Sequence, residues 1–164
     1  MKPLNNYVEI YKEQLDKGDI QEAYGRLVKF VMKLNSSFSN DLADRYSFGN
    51  LFQGYMDYTY FYFSDDFLKK RKLRFGLVLN HSKMRFEIWL LGQNIKVQEK
   101  YWQILKDTKW NKNRTSRPQY SVLEAIILEN PDFNNLDKLT QQLKKSLIKF
   151  TDEITEHIQN CKLA

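Results

Sequence analysis

A chain of 164 residues has the length of one ordinary domain and is long enough to bury a sizeable core. Hydrophobic residues at 42% and charged residues at 28% exclude an intrinsically disordered chain, and no apolar run reaches the roughly 18 residues of a membrane span. One cysteine, Cys161, excludes an intrachain disulfide and fits a reducing compartment. The opening MKPLNNYVEIYKEQ lacks the apolar stretch of a secretion signal, so a cytoplasmic protein is expected. Net charge is +6, unevenly spread. Between Lys69 and Arg117 there are 14 Lys and Arg against only Glu87, Glu99 and Asp107, so the middle is basic and both ends are acidic or mixed.

Leu4, Val8, Tyr11 and Leu15 recur at helical spacing and predict a helix over 4–16, stopped by Gly18. Asp19 followed by Glu22 reads as a capping box for a second helix over 20–35, with Ile20, Ala23, Leu27, Phe30, Val31 and Leu34 along one stripe. The two form an antiparallel helical hairpin, and no second copy at a fixed period supports a helical solenoid. Residues 35–54 are polar and rich in Ser, Asn and Gly, which predicts a long loop with one short helical turn near Asp41–Tyr46. YMDYTYFYF at 55–63 has a strong β composition, with Tyr58, Tyr60 and Tyr62 on one face and Thr59, Phe61 and Phe63 on the other. SDDFLKKR at 64–71 is a short helical or turn connection.

The most ordered pattern runs from Lys72 to Asn94 and predicts two antiparallel strands around a short polar turn. Leu73, Phe75, Leu77 and Leu79 alternate with Arg74, Gly76, Val78 and Asn80, while Phe86, Ile88 and Leu90 alternate with Arg85, Glu87, Trp89 and Leu91. Placing Leu79 opposite Phe86 sets Leu77 against Ile88, Phe75 against Leu90 and Trp89 over Gly76. A one-residue slip would turn the apolar set towards water, so this register is strongly specified.

Asn94 suits the N-cap of a helix over 95–107. Residues 108–119 read as a basic, flexible loop. YSVLEAIILE at 120–129 fits a strand better than a helix, given Val122, Ile126 and Ile127 and the stop at Asn130–Pro131. Leu136, Leu139, Leu143, Leu147, Phe150, Ile154 and Ile158 predict a long amphipathic helix capped near Asn134 or Asn135. The expected architecture is a single α+β domain over 1–164. Its order is α-α-β-β-β-α-β-α, with about four strands in an antiparallel-rich sheet.

Several stretches carry a resemblance: KPLNNYVEIYKEQLDKGDIQEAY at the start, QGYMDYTYF at 53–61, RFEIWLLGQN at 85–94, QEKYW at 98–102 and ENPDFNNLDKLT at 129–140. On these the chain resembles a family of functionally uncharacterised bacterial proteins, over nearly its whole length. The resemblance implies one domain and a bacterial source, and it supplies no catalytic residues.

Motifs for chemistry are absent. There is no GxxxxGK[ST], no GxGxxG after a strand, no HExxH and no GxSxG. Of the two histidines, His81 is expected in the hairpin turn and His157 on the solvent side of the last helix; no cofactor and no metal site are expected. Cys161, at the C-terminal end, is a poor nucleophile candidate. A nuclease of the restriction-endonuclease type needs a D/E-x-K pair, and Glu87 is followed by Ile88 and Trp89. Among Asp57, Glu87 and Glu124, Glu87 is the best carboxylate for acid–base chemistry, although a cross-strand ion pair with Arg74 or Arg85 is the simpler reading.

Three functional readings remain. The first is a ligand- or partner-binding protein, monomer or homodimer, using Tyr58, Tyr60, Arg74, Arg85, Glu87 and Trp89 on the less apolar sheet face. The second is nucleic-acid binding through the basic segments 69–74 and 106–117. Lys69, Lys70, Arg71 and Lys72, with Lys109, Lys112, Arg114 and Arg117 around Trp110, would hold phosphates, and Trp110 would stack on bases. The third is an enzyme with a carboxylate site around Glu87. The absence of a catalytic motif favours binding over catalysis.

Overall fold

The computed structural model describes residues 1–161. It has five helices and five strands: α1 (Leu4–Lys17), α2 (Asp19–Asp41), β1 (Ser47–Phe52), β2 (Tyr58–Ser64), α3 (Asp66–Lys70), β3 (Leu73–Asn80), β4 (Arg85–Gly92), α4 (Ile95–Leu105), β5 (Leu123–Leu128) and α5 (Leu136–Gln159). The strands form one antiparallel sheet in the order β1-β2-β3-β4-β5. Every neighbour in the sheet is thus a neighbour in sequence. The α+β class is as expected, with five strands where four were predicted.

The extra strand comes from the stretch expected to be a loop. Residues 35–54 split into the last turns of α2, a short turn and β1. Asn35, Ser36, Ser37, Ser39 and Asn40 are poor helix formers, but Leu34 and Phe38 are fully buried on the same stripe, and that burial outweighs the propensity. The Asn35 amide then donates to the Gly49 carbonyl at 3.0 Å, tying the helix end to β1. Leu42 and Tyr46 anchor the turn in the core.

The helix boundaries show which local signals operate. Gly18 closes α1 in the left-handed region, φ 79°, and its N–H reaches the Gln14 and Leu15 carbonyls. It also stands as the N-cap of α2, so the expected Asp19–Glu22 capping box does not form. Both acids lie in the first helical turn, where they oppose the positive end of the helix dipole. Helix α4 ends at Leu105, two residues earlier than expected. Asn94 and Asn135 do cap α4 and α5, accepting from the Val97 and Lys138 N–H groups at 3.0 and 3.1 Å.

The strands β3 and β4 pair in the predicted register: Leu79 with Phe86, Leu77 with Ile88, Gly76 with Trp89 and Phe75 with Leu90. The apolar set faces the helices. Val31, Leu34 and Phe38 of α2, Leu68 of α3, Tyr101 and Leu105 of α4, and Leu139, Leu143, Leu147, Ile154 and Ile158 of α5 pack with it into one core. Stretch 120–129 supplies β5 as expected, adding Leu123, Ala125 and Ile127.

The opposite face carries a second, small cluster: Val78, Trp89 and Leu91, with Tyr58, Tyr60 and Tyr62 against them. It contains only strand residues, so among the described residues no helix side chain belongs to it. Helix α1 packs against α2 and buries none of its residues, leaving Leu4, Val8 and Tyr11 more than half exposed. No helix among the described residues is long and apolar enough to cross a membrane.

Truncating Leu77 to Ala in the closed core is expected to cost about 3 kcal/mol, whereas Leu4→Ala on the exposed stripe of α1 should shift stability by no more than about 0.5 kcal/mol. Urea unfolding of the two variants checks the contrast.

Candidate functional site

Pleating puts alternate residues of the central strands on the uncovered face, and their pairing builds a wall of rings. Phe52 stacks on Tyr60 with centroids 5.0 Å apart and a 15° interplanar angle. Tyr60 meets Tyr62 at 5.2 Å, and Tyr58 stands edge-on to Trp89 at 5.0 Å. Between these rings the sheet falls to Gly76, flanked by Tyr62 on one side and Trp89 on the other. A Cβ on Gly76 would meet the Tyr62 ring at 3.4 Å and Leu91 at 3.5 Å, so glycine lets these two side chains close over the strand.

The result is a groove of about 390 Å³. Its floor is Val78, its walls are Tyr58, Tyr60, Tyr62 and Trp89, and Leu91, Gly92 and Tyr120 close one side. Arg74 borders the groove with its guanidinium 3.6 Å above the Tyr62 ring, an Arg–aromatic stack. Arg74 makes no salt bridge among the described residues. Burial raises the Tyr58 and Tyr60 hydroxyls above the usual phenol range, so both remain neutral donors at neutral pH.

Beside the groove, Glu87 is the most constrained group on this face. Only 2% of it is exposed, yet its carboxylate accepts from Asn80 Nδ2 at 3.1 Å, Arg85 Nε at 2.7 Å and Trp89 Nε1 at 2.7 Å. Arg85 also donates to Glu129 at 3.1 Å. Arg74 does not join this cluster. Glu87 therefore orients the Trp89 indole and holds Arg85. Its two oxygens already take three donors, which marks it first as an organising group of the face.

Glu124 stands opposite Trp89 on β5. Burial pushes its carboxyl above the usual range, opposed by a hydrogen bond from Ser121 Oγ at 2.9 Å and the guanidinium of Arg114 at 3.1 Å.

The far end of the groove is the β1–β2 turn, which contributes Gly54 and Asp57. Asp57 accepts from the Tyr55 and Tyr58 N–H groups at 2.8 and 2.7 Å, and these bonds hold its carboxyl below the usual range. The Tyr24 hydroxyl donates to the Gln53 and Gly54 carbonyls. His81 lies in the hairpin turn as predicted, with Nε2 2.8 Å from Thr59 Oγ1 and its ring 5.6 Å from that of Tyr24.

Of the six residues expected on this face, Tyr58, Tyr60, Arg74 and Trp89 line the groove, while Glu87 and Arg85 form the ionic cluster beside it. Tyr62 was missed as a site residue although its alternation with Tyr58 and Tyr60 marks it. Tyr120 precedes β5 and carries no periodic signal.

The basic segments lie elsewhere and divide in two. Lys109 pairs with Glu153, Arg114 with Glu124 and Arg117 with Glu99. Trp110 packs beside the core, its ring edge-on to His157. Lys112 is exposed and makes no salt bridge among the described residues. Lys69, Lys70, Arg71 and Lys72 make no salt bridge among the described residues. No group of three His, Cys, Asp or Glu among the described residues is placed to hold a metal ion.

Two outcomes follow from this geometry. Glu87→Gln keeps an acceptor for Trp89 but loses the charge opposite Arg85, so stability at neutral pH should fall by roughly 1–3 kcal/mol, read by urea unfolding. Burial lowers the His81 pKa below its ordinary 6.5, with Asp57 opposing. His81 therefore contributes stability that is present above 6.5 and lost as pH falls through its depressed folded value. Replacing His81 with Gln should flatten stability over that acidic window, measured by thermal melts at stepped pH.

No curated protein and no solved structure matches the chain. A family model does, over residues 4–158, which span α1 to the last turn of α5. The chain belongs to the family described as a domain of unknown function, DUF7000.

Proposed function

We propose that this is a cytoplasmic ligand-binding protein whose open sheet face takes a small molecule with a planar unsaturated body and an anionic group. The observation that carries the reading is the unpaired Arg74 guanidinium, stacked on Tyr62 at the edge of a ring-lined groove. About 390 Å³ suits a small ligand, and the walls are apolar with few polar groups, as in small-molecule sites. A planar body would slot between Tyr60 and Trp89, and the anion would meet the fork of Arg74. Asp57 at the opposite end disfavours the reverse orientation. Glu87 adds preorganisation by fixing Trp89 before any ligand arrives. The single cysteine among 164 residues supports the compartment.

A nucleic-acid strand across the same face is less well supported. Its phosphates need several free cations, and of those near the face Arg85 and Arg114 are already paired. The rings alone suit base stacking, but among the described residues lining the groove Arg74 is the one cation.

Native mass spectrometry of the purified protein, followed by titration of aromatic carboxylates while Trp fluorescence is read, tests the proposal. Arg74→Ala should weaken binding by roughly tenfold or more, as expected for a lost charge-assisted pair. Val78→Phe should fill the groove from its floor while leaving the strand intact, because phenylalanine also favours strands. Binding unchanged in both variants, or no retained or added ligand across such a panel, would overturn the reading.

A further inference from the structure

Three consecutive basic residues join α3 to β3, and they face a fourth across a depression of about 460 Å³ lined by Lys70, Arg71, Lys72, Val97, Lys100 and Tyr101. None of these residues lines the aromatic groove. None of the four cations has a carboxylate partner among the described residues.

We infer that this depression is a seat for a phosphate-class anion, the phosphate or diphosphate group of a small molecule. Four like charges around one hollow repel one another, and no carboxylate among the described residues pairs with them. Lys70 complements the carbonyl end of α3, as a lysine in the last turn of any helix does. That accounts for neither Lys72 nor Lys100.

Arg71 is held in place before any anion arrives. The Arg71 guanidinium lies 3.6 Å over the Phe67 ring and donates through Nη1 to the Phe67 carbonyl at 3.1 Å, while its buried Nε finds no acceptor. Lys100 carries its ammonium 5.2 Å from the centre of the Tyr101 ring.

Backbone geometry at Lys72 is the second observation. Its φ of 58° lies in the left-handed region, where lysine is strained and glycine is not. The turn is clamped on both sides: the Lys72 N–H donates to the Lys69 carbonyl at 3.0 Å, and the Lys72 carbonyl accepts from Gln93 N–H at 2.9 Å. A lysine stands at a position whose backbone favours glycine, and its charge adds to a cluster that repels it. An anion shared with Lys70, Arg71 and Lys100 supplies the offsetting interaction.

The strain also gives a clean test. Lys72→Gly removes one charge and relaxes the backbone, so its fold should be at least as stable as the parent's. Lys100→Ala removes a second charge from a helix that tolerates alanine. Thermal melts with inorganic phosphate and pyrophosphate, against sodium chloride at equal ionic strength, separate specific binding from screening. The seat predicts a saturable rise in melting temperature with pyrophosphate, larger than with phosphate. Affinity should fall by roughly tenfold in each variant. Amide shifts in an NMR titration should centre on residues 70–72 and 97–101. A rise matched by sodium chloride, or one retained in both variants, would overturn the seat. So would oligonucleotide binding that tightens with length while pyrophosphate has no effect. The groove on the other face can fail its own titration without touching these outcomes.

Discussion

The constraint on which the molecule depends is the two-residue period of β3 and β4 at the middle of the meander. Leu77, Ile88, Phe75 and Leu90 have no exposed surface, and their burial drives the sheet onto α2 and α5. Because the period is two, the same hydrogen bonds that place these four side chains inside put Gly76, Val78, Glu87 and Trp89 outside the helical layer. The groove is thus the second product of one register. Moving it independently would require breaking the core.

Burying a carboxylate on the uncovered face is costly unless its oxygens are matched, and Glu87 is matched three times over. A leucine there would pack well enough on such a surface. What the carboxylate adds is direction: it fixes the indole of Trp89 and neutralises the Arg85 guanidinium at the turn end of the hairpin, while Arg74 stands at the other end. The consequence is a division of labour between two arginines at the two ends of one hairpin. One is neutralised by Glu87 and Glu129, and the other keeps its charge at the groove.

Wherever periodicity was strong, the fold was legible in the amino-acid sequence. The alternation of 73–91 gave the register residue by residue, and the three-and-four spacing of 136–158 gave α5. Residues 35–54 failed because their composition describes the chain locally, while Phe38 and Leu42 are held by partners on distant elements. The same holds for the site. Tyr58, Tyr60, Arg74 and Trp89 follow from the pleat, whereas Tyr120 reaches the groove only through a turn that has no period. Lys100 was invisible for a related reason: its relation to Lys70 and Lys72 exists only once α4 has docked beside β4.

Linear charge density is a poor guide to free charge. The basic window from Lys69 to Arg117 looks uniform along the chain, yet its C-terminal half is largely spent. Lys109 and Arg117 find carboxylates 44 and 18 residues away, and Arg114 finds one on β5. These pairs are surface or half-buried contacts and add little stability each, but they remove the cations from the field felt by a ligand. At the N-terminal end of the window Lys70, Arg71 and Lys72 meet no carboxylate partner among the described residues, and α4 presents Lys100 to them in place of an acid. A run of lysines becomes chemically available when tertiary structure fails to neutralise it. By that measure, clustered positive charge without a carboxylate partner among the described residues stands near the α3–β3 end of the central hairpin, with Arg74 on the open face and Lys70, Arg71 and Lys72 beside α4.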